Sequence, residues 1–463
     1  MPHVLMIGGS DAGISAALRI RELTPETDVT VMLADDFPNF SICGLPFYLS
    51  GEVADWRNLA HRTQDDILRE GIQLMTNHRA VAIAPDQQQV TAISSTGQQV
   101  QVPYDKLIIS TGATSRIPRI AGLDLPGVYF LRWMGDSFRV HDHLTTQNPK
   151  SAVIIGGGYI GLEMADALTL RGLSVTLVEH SPTVLKTVHS SFGERVAQEL
   201  QNHGVTVATG ISVEGIAAYQ GQLRVTGSPN FVETADLVLV AVGAVPAAEL
   251  AQAAGVALGT QGAIQVNRRM ETNVPHIYAA GDCVETWHRL LQKCVYLPLG
   301  TTAHKQGRVA GENAVGGDRH FEGTLGTQVV KVFDLAIART GLREAEAVEA
   351  GYAALTADFE TWDHKVYYPG AQPLHIRVTG DRHTGQLLGA QILGHYQGEV
   401  AKRIDIFATA LFHNMTVAQL SDLDLSYTPP LSSPWDPVQM AAQAWVRQST
   451  RTTAGEKAGA IAR

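Results

Sequence analysis

Three kinds of residue in this chain have the type and spacing for chemistry: a solitary thiol, two glycine-rich turns, and the carboxylates that follow them. The thiol is Cys43, in Phe40-Ser41-Ile42-Cys43-Gly44-Leu45-Pro46-Phe47. Glycine tolerates backbone angles that other residues resist, and proline fixes its own φ, so a Gly-Leu-Pro corner can aim a side chain at a ligand. The alternative is a small buried hydrophobe, the commoner fate of a free cysteine. Cys283 and Cys294 form no CxxC pair, and an odd count of 3 cysteines argues against a disulfide framework. Both are read as packed structural residues.

The first glycine turn is Gly8-Gly9-Ser10-Asp11-Ala12-Gly13, after an apolar strand at 3–8 and before a helix-forming stretch from Ile14. Strand, glycine turn and helix are the context of a dinucleotide fingerprint, in which the helix N-terminus faces a pyrophosphate. Ser10 replaces the middle glycine. The acid expected at the end of the next strand, 28–33, is replaced by Leu33, with Asp35 and Asp36 just beyond. The second turn, Gly156-Gly157-Gly158-Tyr159-Ile160-Gly161, is complete and follows a strand at 151–155. The strand 174–178 then ends in Glu179, 18 positions after Gly161. Such a carboxylate accepts ribose hydroxyls and repels a 2′-phosphate, so NADH is favoured and NADPH is a second donor. Lys186 is the one nearby cation that would soften the preference. Tyr159 either gates the nucleotide pocket or packs. No metal site is expected.

These groups need a large scaffold, and 463 residues with 45% hydrophobic content supply one. The net charge of −10, from 35 basic and 45 acidic residues, argues against nucleic-acid binding. No leader pattern follows Met1, and no apolar run approaches the ~20 residues that span a bilayer. A cytoplasmic protein with reduced thiols is expected. Residues 52–75 read as a polar helical segment, and short strands follow from 79 to 104. A buried strand runs into Ser110-Thr111-Gly112, and Pro118 and Pro126 mark a crossover to the second nucleotide unit. A buried strand lies within 234–242, and the stretch 267–284 ends a strand at Gly281-Asp282, where ligands meet parallel sheets. From about 322 short strands (328–333, 374–379, 386–394) alternate with helices (343–350, 399–412). Residues 449–463 read as a frayed tail.

With these motifs in order, the chain resembles the FAD- and NAD(P)H-dependent pyridine-nucleotide disulfide oxidoreductases, essentially end to end. The carriers are the Gly8–Gly13 turn, Ser110-Thr111-Gly112, the second fingerprint, and Tyr278-Ala-Ala-Gly281-Asp282. The resemblance implies an α/β fold of two Rossmann-like dinucleotide-binding domains plus a C-terminal α+β dimerisation domain. The FAD domain would be discontinuous (1–115 and 245–321), with 116–244 for NAD(P)H, 322–448 for dimerisation and 449–463 as tail. It assigns Gly8, Gly9, Ser10, Ala12, Gly13, Asp35, Ser41, Thr111, Gly112, Gly281, Asp282 and Thr302 to FAD. Gly156, Gly158, Tyr159, Ile160, Gly161 and Glu179 fall to the nicotinamide nucleotide.

The single-cysteine branch fits best, since Pro38 and Tyr48 stand where a second cysteine would be, 5 residues from Cys43. The run Leu425-Ser-Tyr427-Thr-Pro-Pro and the turn Tyr367-Tyr368-Pro369-Gly370 look like those of coenzyme A-disulfide reductases and related NADH oxidases. That likeness implies a homodimer in which Tyr427 and Tyr367 or Tyr368 reach the partner's thiol. Cys43 would exchange with a small disulfide, persulfide or polysulfide, and coenzyme A is a candidate substrate or bound ligand. The site should lower the Cys43 pKa, with a helix end helping and Asp11 opposing. Peroxidases of the branch carry histidine where Asp11 stands. Arg19, Arg21, Arg57 and Arg62 are the basic residues offered to an ADP moiety, with Glu22 interrupting the first cluster. No sulfurtransferase unit is expected after residue 450. Two other readings stay open: an NADH oxidase using O₂ and a Cys43 sulfenate, and a flavin redox sensor or electron-transfer protein.

Overall fold

The structure is a computed structural model that describes residues 2–461, with only the backbone course given for 452–461. Two parallel sheets and one antiparallel sheet form its three centres. In the first, five strands lie in the order Ile277–Ala279, Lys106–Ile109, His3–Ile7, Asp28–Met32 and Gln73–Met75, all parallel. The second repeats the plan with Thr206–Thr209, Ser174–Glu179, Ser151–Ile155, Leu237–Val240 and Val128–Phe130. The inner strands of both read as nearly continuous Val, Ile and Leu because such sheets are covered on both faces. Leu107, Ile108 and Ile109 are fully buried. Each sheet carries a three-stranded antiparallel annex, 78–103 on the first and 212–235 on the second.

The chain leaves the first unit and returns to it at one place. Ala113–Ser115 on the way out pairs antiparallel with Ala244–Pro246 on the way back. The return supplies Ile277–Ala279, which completes the first sheet beside Lys106–Ile109.

The third centre is an antiparallel sheet in the order Gln328–Val332, Leu335–Gly341, Leu387–His395, Pro373–Asp381 and Ala354–Trp362. Helices Val400–Phe412 and Pro437–Ile461 cover it. The second of these continues as helix to Ile461 where the sequence suggested a tail; positions 462 and 463 lie outside the described residues.

One further stretch departs from expectation. Residues 52–75 hold only a short turn, Trp56–Leu59, and one helix, Gln64–Arg69, before the strand Gln73–Met75. Thr63 and Asp66 form a reciprocal capping box that starts that helix afresh. Among the described residues, no helix is long and apolar enough to cross a membrane.

Candidate active site

The first glycine turn is built by contact as much as by conformation. Gly8 has φ +116°, and a Cβ there would strike the Ser110 carbonyl. A Cβ on Gly13 would strike the Gly8 carbonyl, so the helix Asp11–Leu23 can close on its strand only through glycine. Gly156 and Gly161 repeat both constraints in the second unit. The middle position differs. Ser10 has φ −91° and its counterpart Gly158 has φ −85°, angles open to any residue, and a Cβ on Gly158 would meet nothing. Serine is therefore tolerated without distorting the turn.

The two copies differ again beneath the loop. Glu179 accepts hydrogen bonds from the Gly157 amide at 2.6 Å and the Ser181 amide at 2.7 Å. In the first copy, buried Leu33 fills the corresponding space against Gly9. Asp35, two residues on, accepts from the Phe37 amide at 3.0 Å, and burial pushes its carboxyl up. A cavity of ≈ 210 Å³ lies beside it, lined by Ala34, Asn77, Arg79 and Ser95 among others. Asp36 is exposed and takes the Gln64 amide.

Three further segments converge on the first turn. Ser110 donates to the Ile7 and Gly8 carbonyls at 3.0 and 3.1 Å, and Thr111 donates to Ala247 at 2.6 Å. Gly112 turns the chain with φ +72°. Gly281 is held by its amide on buried Gln306 at 3.0 Å, and a Cβ on it would lie 2.9 Å from the Ala12 Cβ. Asp282 forms an ion pair with Arg132. Thr302 is buried near the start of the helix Gly300–Ala314, which packs along Asp11–Leu23. Sequence reading missed Gly307 and Gly311 on that helix. A Cβ on either would collide with the Ala12 or Ala16 carbonyl. Their four-residue spacing, the stripe that lets two helices touch, was the available signal.

Cys43 lies on a single 3₁₀ turn, Ile42–Gly44, directly before the helix Leu45–Ser50. The Ser41 amide donates to Leu59 at 2.8 Å and fixes the entry. Gly44 has φ −81°, so glycine is not needed there for its backbone freedom. A Cβ there would sit 2.6 Å from Leu59 Cδ2, so a larger residue would require that side chain to move. Phe37, Phe40, Trp56 and Phe138 buttress this loop with ring centroids 5.3–5.7 Å apart, a support that sequence reading also missed.

Cys43 reaches solvent, while Cys283 is buried. The expectation of a lowered thiol pKa is overturned. Desolvation pushes the Cys43 thiol up, and the carboxylates of Glu163, Asp11 and Asp282 add to it against Arg132 alone. Asp11 therefore opposes the thiolate, although burial raises its own carboxyl too. Glu163, four residues after Tyr159 on the helix Tyr159–Leu170, is pushed to about 7 by burial and then by Asp166. Cys283 donates weakly to the Ile109 and Ala280 carbonyls, and its thiol is pushed to about 11 by burial. Cys294 lies in the hairpin 286–295, and burial with Glu285 beside it raises its thiol to about 11.

Tyr159 is tied to the C-terminal unit. Its hydroxyl meets Thr187 Oγ1 at 3.1 Å and donates to Gln328 Oε1. Ile160 packs into the core beneath. Among the basic residues, Arg19 is committed to Glu22 and Glu312, Arg21 to backbone carbonyls that include Glu70 and Thr27, and Arg57 to Asp55. Arg62 and Lys305 lie near His304, all three exposed; burial first, and these cations with Arg308, hold the His304 imidazole below its usual range, while His61 and His304 face Asp11.

Tyr367, Tyr368 and Tyr427 stand in the C-terminal unit at 73%, 43% and 43% exposure. The phenol groups of Tyr367 and Tyr427 neighbour one another, and Tyr367 raises the Tyr427 phenol pKa. Tyr368 packs edge-on against His364 with centroids 5.8 Å apart. Elsewhere, Glu199, His203 and Asp334 gather where the helix Ser190–Asn202 meets the C-terminal sheet. The His203 ring is stacked on Phe333 at 4.0 Å, a packing arrangement.

Comparison with known proteins matches this geometry to a family. Residues 2–307 fit the family described as pyridine nucleotide-disulphide oxidoreductase, and residues 327–437 fit its dimerisation domain. The chain is 34% identical over 450 residues to the NAD(P)H sulfur oxidoreductase (CoA-dependent) of Pyrococcus abyssi, covering 95% of this chain and 97% of that one. It is 31% identical over 443 residues to the coenzyme A disulfide reductase of Staphylococcus haemolyticus, covering 95% and 98%. Among solved structures, reduced Bacillus anthracis CoADR-RHD superposes with a TM-score of 0.93 at 33% identity, over 97% of this chain and 80% of that chain.

Proposed function

The chain belongs to the pyridine nucleotide-disulphide oxidoreductases, whose cofactors are FAD and NAD(P)H, and on that basis we propose that it reduces a low-molecular-weight disulfide, persulfide or polysulfide at Cys43. Coenzyme A disulfide is the favoured substrate. The observation that carries the reading is the placement of Cys43. It is a solvent-reaching thiol where Asp11 of the first turn, Asp282, Arg132 and Glu163 all act on it, and no second cysteine lies within five residues. Its sulfur partner must then come from outside the chain.

Glycine turns that exclude a Cβ suit two dinucleotides lying close against backbone. FAD, when bound, passes electrons from nicotinamide to sulfur. Gly8, Gly9, Ser10, Ala12, Gly13, Asp35, Ser41, Thr111, Gly112, Gly281, Asp282 and Thr302 would hold it. Glu179, already oriented by two backbone amides, would take the ribose hydroxyls of NADH, with Gly156, Gly158, Tyr159, Ile160 and Gly161 around the nucleotide. Cys43 as thiolate attacks one sulfur of the disulfide; the S–S bond breaks, one thiolate leaves and takes up a proton, and a mixed disulfide remains. Two electrons from NAD(P)H and one proton then release the second thiol and regenerate the thiolate. Arg132 is the group that favours the charged sulfur.

Tyr427 and Tyr367, from the partner subunit of a homodimer, would supply the proton or hold the departing thiolate. Tyr367 is favoured over Tyr368 because it is the one whose phenol neighbours Tyr427. Arg62 and Lys305, exposed beside His304, suit the phosphates of a coenzyme A moiety better than the paired Arg19 and Arg21 do. Three free cysteines suit the reducing cytoplasm.

The test is Cys43→Ser in the holoenzyme. NADH should still reduce the flavin, while thiol release from coenzyme A disulfide should fall by at least ~10³-fold, the scale of losing a nucleophile. Wild-type thiol release would overturn the mechanism. Oxygen consumption that matches NADH use, without thiol release, would favour the oxidase.

A further inference from the structure

Tyr367 and Tyr427 are 60 residues apart in sequence, on exposed loops, and yet their phenol groups lie close enough to act on one another. Exposed loops of this kind lose much conformational entropy when two tips are held together. Something beneath them must fix their bases.

Arg403 occupies that place. It lies on the helix Val400–Phe412 and is only 4% exposed. Its Nη1 donates to the Gly398 carbonyl at 2.6 Å. Its Nη2 donates to the Asp363 carbonyl at 2.6 Å and to the Leu431 carbonyl at 3.4 Å. Asp363 begins the loop that bears Tyr367, and Leu431 lies four residues after Tyr427. Nε faces the buried Asp436 carboxylate at 3.9 Å. Asp436 in turn accepts from Ser432 Oγ at 2.6 Å and the Val438 amide at 2.8 Å, anchoring the second loop to the helix that follows. Above this base the Lys365 amide reaches the Pro429 carbonyl at 3.4 Å, and the Lys365 ammonium sits 5.2 Å from the centre of the Trp435 ring.

A buried guanidinium is costly to desolvate and is weak evidence of added stability. What it offers is shape: a rigid planar fork that bonds three carbonyls on separate segments, which the single ammonium of lysine cannot span. We propose that Arg403 is a positioning residue that registers the two tyrosine loops on each other, so that the Tyr367–Tyr427 pair is presented as a unit. The inference rests on the assignment of those tyrosines to proton delivery or thiolate binding.

The experiment uses the dimeric holoenzyme with coenzyme A disulfide as acceptor. Arg403→Lys should leave the rate of flavin reduction by NADH unchanged. It should lower kcat for disulfide turnover at least tenfold, with a much smaller change in KM. Adding Arg403→Lys to Tyr427→Phe should lower kcat no further, because both changes remove one shared function. Wild-type kcat in Arg403→Lys, or losses that multiply in the double variant, would overturn the role of Arg403. Wild-type kcat in both Tyr427→Phe and Tyr367→Phe would instead overturn the tyrosine assignment on which it rests. If Arg403→Lys does not yield a folded dimer, Asp436→Asn decides: it keeps the size and an acceptor of the partner, and should give the same separation of flavin reduction from disulfide turnover. Equal effects on both half-reactions in that variant would count against the proposal.

Discussion

Burial is the first cause that holds the Cys43 thiol up, and the negative charge around it, which outweighs Arg132, adds to that. Glu163 is the largest charge opposing its ionisation. Glu163 is itself held near 7, so it gains its charge across the neutral range in which a thiolate is wanted. Glu163→Gln removes the opposing charge at all pH values. Alkylation of Cys43 at pH 7.5 should then speed up by roughly 3–10-fold, and its pH profile should move to lower pH. An unchanged profile would show that desolvation alone raises the thiol. The folding consequence has a definite sign. A carboxyl whose pKa rises from the ordinary 4.5 to about 7 on folding favours the native state below pH 4.5, and that contribution is lost as pH climbs through 7. Glu163→Gln should flatten this part of the stability–pH curve, as urea midpoints at pH 5 and 8 would show.

At the scale of elements, the site depends on how closely the helices Asp11–Leu23 and Gly300–Ala314 approach. Gly307 and Gly311 put bare backbone against Ala12 and Ala16. Ala12 is also the residue that Gly281 touches, so one helix position registers three segments around the first glycine turn. Gly307→Ala forces the helices apart. It should cost about 1–3 kcal/mol of stability, the usual range for overpacking, and reduce FAD retained through gel filtration while leaving NADH affinity intact. Full FAD occupancy in that variant would show the turn to be independent of the helix pair. The same elements show why sequence went as far as it did. Strand, turn and helix were legible at 151–179 because every local requirement, from Gly156 to Glu179, is met within one short stretch. The helix contact was not, because it depends on residues nearly 300 positions apart. The thiol environment was not either, since Asp11, Arg132, Glu163 and Asp282 have no shared local pattern. Residues 52–75 misled because a polar stretch with helix-forming residues does not show that Thr63 restarts the helix.

At the scale of the molecule, the C-terminal unit leaves Val366, Tyr367, Leu431 and Trp435 exposed by 59–73% on the two tyrosine loops. Exposed apolar groups gathered in this way mark a surface that meets another, and the match to a dimerisation domain over residues 327–437 suggests a homodimer. If the tyrosines act across that interface, a site is built from Cys43 of one subunit and Tyr427 of the other. Mixing inactive Cys43→Ser with impaired Tyr427→Phe under subunit exchange should then regain activity, up to about half per hybrid dimer, because one of its two sites is wild type. No recovery in confirmed hybrids would place both residues in one subunit's site.

The same molecule must be made in order, from its N-terminus. The strand Lys106–Ile109 has one neighbour, His3–Ile7, available early; its other neighbour, Ile277–Ala279, comes 170 residues after Ile109. At typical synthesis rates that interval is on the order of 10–30 s. Throughout it Leu107, Ile108 and Ile109 form an open, apolar sheet edge, the kind of surface on which nascent chains stick to one another. The second parallel sheet, with strands from Val128 to Val240, emerges whole within that interval and can finish folding while the first is still incomplete. The pairing of Ala113–Ser115 with Ala244–Pro246 then brings the growing chain back to the waiting edge. Sheet closure is thereby timed by the translation of a different domain, and a ribosomal pause just after residue 246 would lengthen the vulnerable period more than a pause almost anywhere later in the chain.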